Sequence, residues 1–240
     1  MVFLAGSVLS LPAFADVRVQ KAEFLITLPD GWFEVPREEL DKISEQINRA
    51  KPLGTAPDDL TQIDYAFQSI NEGWLTLPNI TIEHRTTGRI RESQIESVSM
   101  LDAKYIEHEM AKTAPYYIKE FHLITPEYDR ENGIVWMKLD MSTDKDDVTA
   151  LMAMFPTELG VLFVSGTAAT AGFPQYEATF RAGLSSINVD PSIAYRFSLF
   201  RRIMQPSTTV GAAGILLMWI VVLIGGALLI VYVARNWLSG

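Results

Sequence analysis

Cysteine is absent from this 240-residue chain, which excludes disulfides, thiolate catalysis and Cys-ligated metal centres. Histidine is scarce, with only His84, His108 and His122 present. His108 is followed four positions later by Lys112, so the two-histidine zinc-protease pattern is missing. His84 and His122 fall in separate strand-like runs. Ser165-Gly166 follows an apolar run, but Phe163 stands where a Gly-x-Ser-x-Gly nucleophile elbow needs glycine. Gly160 and Gly166 likewise lack the Gly-Lys-Ser/Thr ending of a phosphate loop. No catalytic residue, metal site or cofactor is therefore expected.

Charge is missing from one long stretch, Val210 to Ala234, where 25 consecutive residues carry none. As a helix it would reach roughly 37 Å at about 1.5 Å per residue, enough to cross a hydrocarbon core of about 30 Å with some tilt. One C-terminal transmembrane helix over 210–234 is expected. At the other end, Met1 to Ala15 is an apolar run closing on Ala13-Phe14-Ala15, the small-x-small pattern of a secretory cleavage site, though no Lys or Arg precedes it. Residues 1–15 are read as a signal peptide, 16–191 as an extracytoplasmic domain, 192–209 as a juxtamembrane connector and 235–240 as a cytoplasmic tail. Arg201 and Arg202 before the span and Arg235 after it run slightly against that orientation, whereas Trp237 supplies an interfacial aromatic on the tail side. The expected location is a bacterial inner membrane, single-pass, with the domain in the periplasm.

All 29 acidic residues lie between Asp16 and Asp190, and three of the 20 basic ones flank the apolar run, which leaves 17 basic residues and a charge of −12 on the domain side. That balance argues against nucleic acid and against lying flat on anionic lipid, both of which select clustered Lys and Arg.

In chain order, Lys21–Leu28 is strand-like and Pro29-Asp30-Gly31 is a turn, with proline fixing φ, aspartate bonding its own backbone and glycine permitting φ > 0. A short second strand at Trp32–Val35 is expected next. Pro36 then opens a helix that runs to about Ala50, with Leu40, Ile43 and Ile47 at helical spacing. Ile63–Ile70 and Leu77–Arg85 alternate as strands. A longer helix is expected over Arg91–Lys112, with Ile95, Val98, Leu101, Tyr105 and Met110 mostly on one face. Four runs, Ile118–Thr125, Gly133–Ser142, Val148–Phe155 and Gly160–Gly166, make an antiparallel meander. Phe173-Pro174 starts a last helix carrying Tyr176, Phe180, Leu184 and Ile187, and Asp190-Pro191 ends the domain. The expected class is α+β, an antiparallel sheet covered by helices.

The opening FLITLPDGWFEVP and the closing GVLFVSGTAATAGFPQYEATFRAGLSSI resemble the first strands and the last strand and helix of the Mog1/PsbP-like fold, which includes bacterial envelope proteins of the DcrB type. The resemblance extends over about Val17 to Val189, with only these two stretches specific. It implies a non-catalytic binding or assembly role. The C-terminal apolar run and the lack of a lipobox cysteine depart from the DcrB type.

Partner-contact candidates are few. Trp74, beside Gly73 in an expected loop, would anchor a partner if exposed. Gly211, Gly214, Gly225 and Gly226 would allow close approach of another helix within the membrane, although their spacing is not small-xxx-small. The turn from Asp140 to Asp147 gathers four carboxylates but lacks the alternating ligands, glycine and terminal glutamate of an EF-hand loop, and is read as a solvated hairpin. The leading reading is a membrane-anchored accessory subunit that contacts another membrane protein. Two others stand beside it: an envelope hydrolase with a dispersed carboxylate site around Asp140, Asp144 and His122, and a sensor domain that signals through a membrane partner.

Overall fold

In a computed structural model, the described residues are 17–50, 63–69, 73–98, 102–104, 107–108, 118–143 and 146–196. The expected signal peptide at 1–15, the apolar run at 210–234 and the cytoplasmic tail at 235–240 lie outside them, as do Gly211, Gly214, Gly225 and Gly226. Among the described residues no helix is long and apolar enough to cross a membrane.

Among the described residues, ten strands and three named helices make an α+β fold whose strand pairings are antiparallel. The strands are β1 (Val17–Gln20), β2 (Phe24–Leu28), β3 (Phe33–Glu34), β4 (Tyr65–Gln68), β5 (Asn79–Arg85), β6 (Ile118–Asp129), β7 (Ile134–Thr143), β8 (Asp147–Pro156), β9 (Val161–Ala169) and β10 (Asn188–Val189). The helices are α1 (Arg37–Ala50), α2 (Glu92–Val98) and α3 (Phe173–Ser185). A seven-stranded sheet runs in the order β3-β4-β5-β9-β8-β7-β6, and β1-β2-β10 form a separate three-stranded sheet.

The expected meander is present as β6 to β9, joined in register from Asp129↔Ile134 through Val135↔Met154 to Pro156↔Val161. Side chains alternate between faces along each strand, and both faces of the large sheet are buried. This holds for the central strands and not for the edge strand β6, where Lys119, Glu120, His122, Ile124 and Glu127 are exposed; on β8, Val148, Ala150, Met152 and Met154 join one core, while Leu151, Ala153 and Phe155 join the other. That is why β8 appears in the sequence as one apolar run instead of an alternating one. Leu40 and Ile43 of α1 and Ile95 and Val98 of α2 pack into the first core. Phe24, Ile26 and Leu28 of β2, with Phe173, Phe180 and Leu184 of α3, fill the second.

The expected turn is present, and one expectation, the long helix, is corrected. The Pro29-Asp30-Gly31 turn is present, with Gly31 at φ 82° and its N–H donating to Asp30 Oδ1 at 2.9 Å. It does not close a hairpin, however: β2 pairs with β1 and β10, whereas β3 pairs with β4. The turn carries the chain from the covering sheet into the main one. Nor is the helix expected over Arg91–Lys112 continuous. Helix α2 covers Glu92–Val98, and Asp102 is non-helical, its Oδ1 accepting from Lys104 N at 3.1 Å as the N-cap of further helical residues.

Helix α3 lies very close to the sheet at Gly166, where an added Cβ would sit 2.5 Å from Phe180 Cγ and Cδ1. Its C-terminus is tied to β2 through Ser186, whose Oγ accepts from Thr27 N at 2.9 Å and donates to Gly183 O at 2.6 Å. Gly166→Ala is therefore expected to destabilise by about 1–3 kcal/mol, as overpacking does, and Phe180→Ala by about 3–5 kcal/mol through the cavity it leaves. Combined, they should cost clearly less than their sum, because each removes the other's clash or void. Urea unfolding of the three variants measures this, and strict additivity would show that the two residues are not in contact.

Candidate functional site

One end of the fold carries a cleft of about 340 Å³ lined by Glu23, Glu34, Val35, Arg37, Leu40, Asp64, Tyr65 and His84. These residues come from five places in the chain. Glu23 precedes β2, Glu34 closes β3, Arg37 opens α1, Asp64 and Tyr65 start β4, and His84 lies near the end of β5. Antiparallel pairing of Tyr65 with Ile82 brings the start of β4 beside the end of β5. Phe24 stacks edge-on against Tyr65 at 5.4 Å, which fixes the small sheet over the same spot.

The polar contacts are specific. Tyr65 Oη donates to Glu23 Oε2 at 3.1 Å, and Lys21 Nζ binds Glu34 at 2.7 Å while lying 4.9 Å over the Tyr65 ring. Asp64 Oδ2 accepts from His84 N at 2.7 Å. Arg37 Nη1 donates to the carbonyls of Ile63 and Asp64 at 3.3 Å, and its Nε pairs with Asp41 at 2.8 Å. The Nε2 atom of His84 is buried without a hydrogen-bond partner. Burial raises the Asp64 carboxyl above the usual carboxylate range, against the opposing pull of the His84 N–H and the Arg37 charge. Burial and the neighbouring Glu23 push the Tyr65 phenol up to about 12. The cleft thus presents carboxylates beside a histidine and two apolar side chains, a set suited to binding a cationic group.

The same end holds a clasp over the outgoing chain. Arg89 Nε binds Glu158 Oε1 at 3.0 Å, its Nη2 donates to Arg196 O at 2.8 Å, and its guanidinium lies 4.3 Å over the Tyr195 ring. Glu158 Oε1 also accepts from Arg196 N at 2.9 Å, and Tyr195 Oη donates to Ile90 O at 2.8 Å. Burial pushes the Tyr195 phenol up to about 12. A bridge between Thr157 and Ala194 completes the attachment. The chain therefore stays on the body past Pro191, the expected boundary, as far as Arg196. Asp190 N donates to Glu23 O at 2.8 Å, linking clasp and cleft.

The residues singled out from sequence lie elsewhere. Trp74 is half-buried and packs at 6.3 Å against Phe33 in a T-shaped pair, so it is not a free tip. Its loop is held by Gln68, which accepts from Leu75 N and donates to Gly73 O, both at 2.7 Å. His122 and Asp140 are cross-strand neighbours, but His122 Nδ1 contacts Glu107 at 2.9 Å with the ring 72% exposed, and Asp140 accepts from Thr149 Oγ1 at 2.7 Å. Asp144 lies outside the described residues. At the turn, Asp147 accepts from Ser142 Oγ at 2.5 Å. His108 is exposed, and Ser165 sits in mid-strand beside Thr167. Among the described residues no three His, Asp or Glu side chains are grouped to hold a metal ion. The cleft escaped the sequence because its residues belong to no local motif; the only trace is the run Asp64-Tyr65 at a strand start.

No family model matches the chain. No curated protein matches it either. Among solved structures the chain is similar to cyanobacterial PsbP (CyanoP) from Synechocystis sp. PCC 6803, at 15% identity and a TM-score of 0.42, over 78% of this chain and 98% of that one.

A carboxyl raised by folding favours the protonated folded state, so the stability it contributes is lost as pH rises from the ordinary carboxylate value, about 3.9, through the raised one. Asp64→Asn keeps an acceptor for His84 N and removes that loss. The thermal midpoint of the variant relative to the parent should climb from about pH 3.5 to pH 7. A difference that does not change with pH would show that burial does not perturb Asp64.

Proposed function

We propose that this chain is a non-catalytic, membrane-anchored extracytoplasmic binding or assembly domain, an accessory subunit of a membrane complex at the bacterial inner membrane with its domain in the periplasm. The uncharged run at Val210–Ala234 supplies the anchor and the apolar Met1–Ala15 the export signal. The observation that carries the reading is the clasp. A domain on a loose tether has no need to fix its exit strand, whereas one that must present a surface to a membrane neighbour does, and Arg89, Glu158 and Tyr195 hold the strand down to Arg196. The hydrolase reading has less support, since Asp140 is bound to Thr149 and His122 stands in solvent.

The test is a mild-detergent pull-down of the full-length chain against a control lacking Ser207–Gly240, read by mass spectrometry. Stoichiometric membrane proteins that vanish from the control are the expected result. If both forms come down alone, the accessory-subunit reading fails. The clasp has its own test. Arg89→Ala removes charge-assisted hydrogen bonds worth about 1.5–3 kcal/mol, which allows local opening roughly tenfold or more often. Chymotryptic cleavage after Tyr195 should accelerate by about that factor, with little change in the global unfolding midpoint. Unchanged cleavage would mean that the strand is held by other contacts.

A further inference from the structure

We propose that residues 191–196 form a strap that load on the outgoing chain peels from the body, from Arg196 back to Asp190, so that the tether lengthens while the domain stays folded. The proposal rests on the anchored reading above and adds a moving part to it. Burial is the first argument. Ile187 sits in the second core, but no residue from Asn188 to Arg196 is buried, and Tyr195, which packs against the first core, is half-buried. Lifting the strap therefore exposes little apolar surface, and a local opening of that kind lies well below global unfolding in free energy.

The order of the bonds is the second argument. The chain beyond Arg196 leads to the uncharged run, so load reaches Arg196 first. Its N–H and C=O are both held by side chains, Glu158 Oε1 at 2.9 Å and Arg89 Nη2 at 2.8 Å. Next along the chain come Tyr195 Oη on Ile90 O, the bridge between Ala194 and Thr157, and Ile193 O, which accepts from Glu158 N at 2.8 Å. These bonds land on two loops, one after β5 and one after β8, and Glu158 Oε1 is their hub because it also accepts from Arg89 Nε. The turn from Asp190 to Ala194 has bonds of its own, with Ile193 N and Ala194 N donating to Asp190 O, and is the last part to open. Peeling stops at Asp190, whose N–H is held by Glu23 O and whose predecessors in β10 pair with β2. With the strap closed the tether to Val210 is residues 197–209, and with it open, residues 191–209. The added segment reaches about 20 Å at roughly 3.3–3.6 Å per residue. The domain can then follow a partner that moves away from the bilayer and dock its strap again when the load ends.

Because the chain has no cysteine, Glu131→Cys in the exposed turn after β6 and Ser207→Cys beyond the strap give two unique sites for handles. The full-length chain in mild detergent is stretched between them in optical tweezers. A reversible extension of at most about 20 Å, at a force below that of global unfolding, is the expected result. In Arg89→Ala and in Glu158→Ala the step should move to lower force, with the open state populated roughly tenfold more at zero load. A parent trace that shows no step before global unfolding overturns the proposal, and so does a step that neither variant moves. Should the variants fail to fold, the presence, size and reversibility of the parent's step decide alone. Flotation of the same chain with phosphatidylcholine vesicles separates this proposal from the reading beneath it. A chain that floats and shows the step supports the lengthening tether. A chain that shows the step but does not float overturns the anchored reading, and the tether role with it, while the strap itself stands.

Discussion

The constraint on which the rest of this fold depends is that the central strands β8 and β9 of its seven-stranded sheet are buried on both faces. Every residue from Val148 to Pro156 is buried, and so is every residue from Val161 to Ala168. Burial of apolar surface is worth about 25 cal/mol per Å², so leaving either face to water would forfeit much of the driving force for folding. Two covers are required. Helices α1 and α2 supply residues to one, and α3 with β2 supplies the other. This accounts for the odd route of the N-terminal segment. Had β2 paired with β3 across its turn, Phe24, Ile26 and Leu28 would have extended the sheet instead of covering it.

Much of this was legible in the sequence, and the reasons for the rest are specific. The meander could be read because alternation and turn residues are local signals, and α3 because Tyr176, Phe180 and Leu184 keep helical spacing. The partner of β2 could not be read, since the chemistry of a Pro-Asp-Gly turn fixes a reversal but not which strands pair. The break at Asp102 was hidden by apolar periodicity that continues past it; a single side chain capping Lys104 N overrides that pattern. The cleft was the least legible feature. Its lining depends on the register of β4 against β5 and on the crossing of the small sheet, both tertiary facts.

Buried polar groups separate structure from site. Gln68 and Asn79 are almost fully buried, yet their amides are engaged by the backbone of the loop around Leu75, which holds that residue at φ 55° with its side chain in the core. Glu83 and Arg85 pair with each other on β5. The Gln68 and Asn79 amides thereby fix local geometry within the fold. At the cleft the Asp64 carboxyl is raised by burial, and His84 Nε2, like Thr76 Oγ1 elsewhere, is buried without a hydrogen-bond partner.

Cleft and clasp share one end of the sheet, and Asp190 joins them by donating to Glu23 O. On the anchored reading that proximity has a consequence. Between Arg196 and Val210 lie 13 residues, at most about 45 Å even if fully extended. With the strand held down to Arg196, the end of the domain nearest the bilayer would be the end that carries Glu23, Asp64 and His84. An acidic surface is repelled by anionic lipid, so that end favours a protein neighbour over the lipid itself. Clasp and cleft are each ordinary alone; they meet at one end of the sheet because β10 pairs with β2 there, which sets Asp190 beside Glu23 and starts the path that the clasp holds down to Arg196.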